Sequence, residues 1–121
     1  MNIDQFLHNL ELLPKRIEEN CRLALSEVLQ QMVSYARANH PYKDRSGNLT
    51  ASIGADVGGF NSGKISASFY ALAEYAQDVE YGTHRGSPPL PFMRPTIERF
   101  KPELEAALQR AMQSALEEAL K

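Results

Sequence analysis

The stretch LTASIGADVGGFNSGKISASFYALA, Leu49 to Ala73, sets the layout of this chain. Leu49, Ala51, Ile53, Ala55 and Val57 are apolar, and Thr50, Ser52, Gly54 and Asp56 between them are small or polar. A period of two is that of a half-buried strand with one face on a core. GGFNSG is a turn cluster, and Ile65, Ala67, Phe69 and Ala71 then resume the alternation. The spacing predicts two strands paired as a hairpin with a fairly long, Gly-rich tip.

Upstream, the period is helical. Ile17, Cys21, Ala24, Leu25, Val28, Met32 and Ala36 recur at spacings of three or four, which places one apolar face on a long helix. Pro14 suits the first turn of that helix, where its missing N–H is not needed. The preceding IDQFLHNLELL reads as a shorter helix joined at a kink. The residue before Pro41 is pushed out of helical geometry, so NHPY ends the run, and YKDRSGN is a loop.

Downstream, YAQDVEYGT supports two patterns. Leu72, Ala73, Ala76 and Val79 fit a helical turn, while Val79 and Tyr81 fit the start of a third strand; the expectation is a turn running into a short strand. Pro88, Pro89 and Pro91 exclude regular structure from HRGSPPLPFMR. From Pro95 the helical period returns through Ile97, Phe100, Leu104, Ala107, Leu108, Ala111, Met112, Ala115 and Leu116, in a segment rich in good helix formers. Pro102 either kinks this helix or separates its first turns. The expected fold is α+β: a small antiparallel sheet, a hairpin plus a short strand, packed by a long N-terminal and a long C-terminal helix. One domain is expected over 1–121, helical over 1–40, sheet over 49–83, a Pro/Gly-rich loop over 84–94 and helical over 95–121.

The 121 residues fit one domain of common size, and 43% hydrophobic content is enough for a modest core. A net charge of −2 gives no global basic field for nucleic acid. The single cysteine, Cys21, excludes an internal disulfide framework and a multi-cysteine zinc site. Asp4, His8 and Glu11 interrupt the N-terminal apolar residues, so no signal peptide is read there. No apolar run approaches the roughly 20 residues of a membrane span. A soluble cytoplasmic protein is the resulting expectation.

Catalysis needs convergent groups. None of His8, His40 and His84 has a second His or a Cys at ligand spacing, so no metal site is expected. His40 reads as a helix-end cap and His84 as an exposed loop residue. Cys21 lies on an apolar helix face, where a thiol is inert. GGFNSGK lacks the Gly-Lys-Ser/Thr ending of a phosphate loop and precedes a strand. No cofactor is expected. Glu80, between Val79 and Tyr81, has two readings: it is buried and paired with Arg94 across the loop, or it points outward and stays solvated.

Tyr81, Leu90, Phe92 and Met93 are large apolar groups, and proline lowers the entropy cost of ordering the loop around them. A stiff apolar loop without a catalytic group reads as a docking surface. His84, Arg85, Pro88, Pro89 and Leu90 in the loop, with Phe60 and Asn61 at the hairpin tip, are its candidate contacts with a neighbouring subunit or partner. Two protrusions on opposite sides of one domain are what a ring-forming subunit needs.

Three blocks, in order, carry a resemblance. The first is RSGNLTASI, with Ser46, Gly47, Leu49, Ser52 and Ile53. The second is YAQDVEYGT, with Tyr75, Ala76, Val79, Glu80, Tyr81, Gly82 and Thr83. The third is PFMRP, Pro91, Phe92, Met93, Arg94 and Pro95. Together they resemble the tail-component family of long-tailed bacteriophages and prophages, small proteins of head–tail joining also described as tail-completion or minor tail proteins. Ser46 stands where Thr is common, and HRGSPPL resembles a variable insert. The resemblance implies a virion structural protein without catalysis, in a six-membered homo-oligomeric ring at the neck. Its partners would be connector or neck proteins and the tail tube or tail terminator. DNA would pass through the channel without specific binding, no membrane would be involved, and assembly would take place in the bacterial cytoplasm. Two other readings stand beside it: a small DNA-associated binding module, and an enzyme using His84 and Glu80.

Overall fold

A computed structural model describes residues 2–44, 46–61, 64–83 and 86–121, without the side chains of residues 60 and 61. Helix α1 is Ile3–Ala38, α2 is Asn48–Ala51, β1 is Ile53–Asn61, β2 is Lys64–Ala71, α3 is Ala76–Tyr81 and α4 is Met93–Ala119. The fold is α+β, with two long helices packed on a small antiparallel sheet.

Helix α1 runs 36 residues, about 54 Å at 1.5 Å per residue. Asn2 caps it, its Oδ1 accepting from the Gln5 amide at 2.8 Å. The expected short helix and kink before Pro14 are not present as separate elements; the helix continues through Pro14. Tertiary contact offsets the local penalty of an interior proline, since the Asn9 side-chain amide donates to the Ala119 carbonyl at 3.2 Å and holds the first turns against α4. Pro102 likewise lies inside one continuous α4.

The helices are antiparallel. Asn9 meets Ala119, Asn20 donates to the Ala111 carbonyl at 3.3 Å, and Tyr35 packs edge-on against Phe100 with ring centres 5.6 Å apart. Ala107, Ala111, Ala115 and Ala119 recur every fourth residue on the buried line of α4. Their methyl groups let the helices approach closely while α1 supplies Cys21, Leu25, Val28, Leu29 and Met32.

Strands β1 and β2 form the hairpin that the alternation predicts, but without the fairly long tip expected over GGFNSG: β1 continues through Gly58 and Gly59 to Asn61, which pairs with Lys64. Ile53 faces Ala71, Ala55 faces Phe69 and Val57 faces Ala67, with a register shift between Val57 and Phe60. Ala55, Val57, Ile65 and Phe69 pack on the cluster of Leu25, Val28, Leu29, Met32, Phe100 and Ala107. Ala67, beside the register shift, is exposed.

Two expected strand segments are helical instead. Residues 48–51 form one turn, entered through Gly47 at φ 78° and closed by Ser52, whose hydroxyl donates to the Leu49 carbonyl at 2.7 Å. The expected third strand at Val79–Tyr81 is the end of α3, because burial falls on Ala76 and Glu80, four apart, rather than on alternate residues. Among the described residues the sheet has two strands.

Candidate functional site

The residues after α3 are organised by one carboxylate. Glu80 is 7% exposed. Its Oε1 accepts from the amides of Phe92 and Met93, both at 2.9 Å, and its Oε2 accepts from the Arg94 amide at 3.2 Å. These are among the first amides of α4, which have no partner within the helix. A negative charge there meets the positive end of the helix dipole and makes charge-assisted hydrogen bonds. This explains why α4 begins at Met93, two residues before the expected Pro95.

Glu80 is thus buried, as one of its two sequence readings has it, but its partner is not the Arg94 guanidinium. The carboxylate takes the Arg94 backbone amide, and the guanidinium lies 5.6 Å from the centre of the Tyr81 ring. Three backbone amides satisfy the carboxylate without a side-chain cation. They also commit both of its oxygens, which leaves little for the proton-transfer role that the enzyme reading gives Glu80.

The loop is pinned elsewhere too. The Leu90 amide donates to the Val79 carbonyl at 2.8 Å, and the Ser87 amide donates to the Thr83 hydroxyl at 3.2 Å. Gly82 has φ 84°, and a Cβ there would lie 2.8 Å from the Ser87 carbonyl oxygen, so glycine is required on both counts. Gly86, Ser87, Pro88, Pro89 and Leu90 are exposed on this frame. His84 and Arg85, and the side chains of Phe60 and Asn61, lie outside the described residues.

The three sequence blocks converge. Leu49 and Ile53 from the first, Ala76 from the second and Phe92 from the third share one buried cluster with Val33, Ala36 and Tyr42, and Val79 packs at its edge. Thr96 sits beneath Phe92, its hydroxyl donating to the Phe92 carbonyl at 2.7 Å. Gly47, Ser52 and Gly82 shape turns, while Tyr75, Pro91, Arg94 and Pro95 are exposed.

A second network was not legible in the sequence. The Tyr42 hydroxyl donates to the Thr50 hydroxyl at 2.8 Å, which in turn donates to Asp44. His40 stacks on Tyr42, with ring centres 3.9 Å apart, and donates from Nδ1 to the Tyr42 carbonyl at 2.8 Å. Its Nε2 lies 3.0 Å from Asp44. His40 therefore ties down the loop after α1 rather than capping the helix. Burial, more than the neighbouring charges of Asp44 and Tyr75, pushes the Tyr42 hydroxyl above its ordinary pKa against the lowering effect of the Thr50 bond. Tyr42 also packs edge-on against Phe92, at 5.1 Å between ring centres, which joins this network to the start of α4. Between the two loops lies a groove of about 630 Å³ lined by Tyr42, Lys43, Asp44, Leu49, Tyr75 and Leu90. Arg37 donates to the Ile53 carbonyl at 2.8 Å, another long-range tie that no local pattern signals.

Among the described residues, no group of three or more His, Cys, Asp or Glu side chains is placed to hold a metal ion. No described helix is long and apolar enough to cross a membrane. Burial raises the Cys21 thiol pKa, which disfavours the reactive thiolate.

A buried carboxylate thus fastens the start of α4 to α3, beside a helical pair that carries a small sheet. The family model described as "Bacteriophage HK97-gp10, putative tail-component" matches residues 4–82, well over half of the chain. The chain belongs to this HK97-gp10-like family of bacteriophage tail components. No curated protein and no solved structure gives a significant match. The match takes in the first block and all but Thr83 of the second. The third block lies beyond it, joined to the matched part by Glu80.

Proposed function

We propose that the protein is a structural, non-catalytic subunit of the phage neck, a tail-completion ring that joins the tail to the head connector. The observation that carries this reading is the Glu80 anchor. It fastens a Pro-rich exposed segment to two helices at once, and so presents a preformed docking surface at low entropic cost. Membership among tail components supplies the setting. Pro88, Pro89 and Leu90, with His84 and Arg85, would meet a neighbouring neck or tail protein, and Phe60 and Asn61 at the hairpin tip would meet the adjacent subunit. Six copies would form the ring, assembled in the host cytoplasm and carried into the virion. A net charge of −2 suits a channel that lets DNA through without gripping it.

Deleting the gene in its phage tests the proposal. The expected result is filled heads and finished tails that fail to join in micrographs, restored by the protein supplied in trans. Intact infectious particles from the deletion, or absence of the protein from purified virions, would refute it.

A further inference from the structure

The paired helices have two unlike flanks. On α4, the residues one place before the alanine line, Ala106, Arg110 and Ser114, face a trough of about 620 Å³ between the helices, walled from α1 by Leu23, Ala24 and Gln31. Of its lining residues, Ala24, Ala106, Ala107, Ala111 and Ser114 are short, while Glu27, Gln31, Glu103 and Arg110 are long and polar, and Leu23 is 66% exposed.

The residues one place after the alanine line are Leu108, Met112, Leu116 and Leu120. Leu108 packs with the cluster beneath the sheet. The next three continue its line and are 47%, 47% and 65% exposed. The same sense holds on α1. Arg22, one place after buried Cys21, reaches the Gly58 carbonyl of β1 at 3.2 Å. Leu10 likewise follows Asn9, which bonds α4, and Leu7 and Ile3 extend its line toward the N-terminus. A long-chain apolar ridge therefore lies on the sheet side of the helical pair, and on the other a trough whose short side chains alternate with Glu27, Gln31, Glu103 and Arg110.

We propose that the ridge of one copy packs into the trough of a second copy, head to tail; this adds a helix-pair contact between subunits to the hairpin-tip contact of the ring reading above and rests on that reading. Three features point to a second copy. On α4 the ridge runs over residues 112–120, about 12 Å at 1.5 Å per residue, and the trough over residues 102–114, about 18 Å, so the trough is long enough to take the ridge. The long apolar side chains of the ridge meet the short Ala106, Ala107, Ala111 and Ser114 of the trough, an arrangement that interdigitates. The third feature is area. The six ridge side chains leave roughly 300 Å² of apolar surface open, at about 100 Å² per whole side chain. A standard partner surface holds about 450 Å² of apolar area. The ridge falls short of a tight dimer and fits a weak contact that is repeated around an assembly. Because the two flanks are different surfaces, a filled trough leaves the same copy's ridge free, so the contact propagates and closes only if its rotation permits.

Sedimentation velocity on the full chain, from about 1 μM to 1 mM, tests this. The wild type is expected to shift to larger species with concentration. Leu116→Glu spoils the ridge and Ala106→Trp fills the trough, and each should weaken association at least about tenfold. An equimolar mixture of the two retains one good ridge and one good trough. It should form a dimer and nothing larger, which an isologous interface would not do. A variant whose circular dichroism shows misfolding is replaced by Leu120→Gln or Ser114→Tyr. A wild type that stays monomeric throughout, a mixture that stays monomeric, or a Leu116→Glu protein that assembles like wild type would overturn the inference. Any of these, with the protein still present in purified virions, would leave the neck reading standing.

Discussion

Replacing Glu80 by glutamine tests the central joint of the fold with a change of almost no volume. The carboxylate serves three amides, and the Phe92 amide lies in a residue only 1% exposed, where water cannot substitute. Hydrogen bonds to a charged group contribute about 1.5–3 kcal/mol each, and charge at a helix N-terminus adds about 0.3–1 kcal/mol. Glutamine keeps one acceptor oxygen for two of the amides but turns an NH₂ toward the third. The expected loss is about 2–3 kcal/mol. With a melting shift of roughly 3–5 °C per kcal/mol for a chain of this size, Tm should fall by roughly 6–15 °C. Glu80→Ala, which orphans all three donors, should cost more. Glu117→Gln is the control. Glu117 is exposed and, among the described residues, its side chain accepts only from Gln113, at 3.4 Å, so its change should stay within about 0.5 kcal/mol. Thermal melts by circular dichroism, with urea midpoints alongside, read the difference. Equal melts for Glu80→Gln and Glu117→Gln would refute the assignment of the carboxylate as the cap of α4.

Gly82→Ala should destabilise by about 2 kcal/mol or more, from its positive φ and the 2.8 Å approach to Ser87, whereas Gly86→Ala, with open space at its Cβ, should cost about half as much; equal urea midpoints for the two would show that the turn does not constrain Gly82. Tyr42→Phe should cost about 1 kcal/mol at neutral pH through its lost bond to Thr50. The folded state holds the Tyr42 proton more tightly than the unfolded chain, so its contribution is complete below about pH 10 and is lost as pH rises further. Urea midpoints from pH 8 to 11 should therefore fall more steeply for wild type than for Tyr42→Phe, and parallel curves would contradict this. Cys21, 3% exposed with its thiol pKa raised, should react with a thiol reagent at pH 8 only after denaturant is added; labelling of the native protein at the rate of a free thiol would show that the helix pair opens readily.

Strong period was legible and local competition was not. The apolar faces of α1 and α4 and the alternation of Ile53–Val57 against Ile65–Ala71 could be read because each repeats over several turns or residue pairs. The failures lie where a tertiary contact overrode a local rule. Pro14 signals a helix start, yet Asn9 and Ala119 hold the preceding turns in line. Residues 49–51 alternate like a strand, yet Gly47 at positive φ starts a helical turn there. The conflict at Glu80 was visible as a charge between two apolar neighbours. Its resolution was not, because backbone amides 12 to 14 residues away leave no mark on residue type. The chain from Tyr42 through Thr50 to Asp44 escaped notice for the same reason.

The pairing of Asn9 with Ala119 joins positions 110 residues apart. The apolar face of α1, Cys21 to Ala36, is made before the alanines of α4, 107 to 119, that pack on part of it. At 5–20 residues per second, the roughly 80 residues between these segments take about 4–16 s to make. Throughout that interval the apolar stripe of α1 has the hairpin but not α4 to close on, so the hairpin or a chaperone must shield it until α4 arrives.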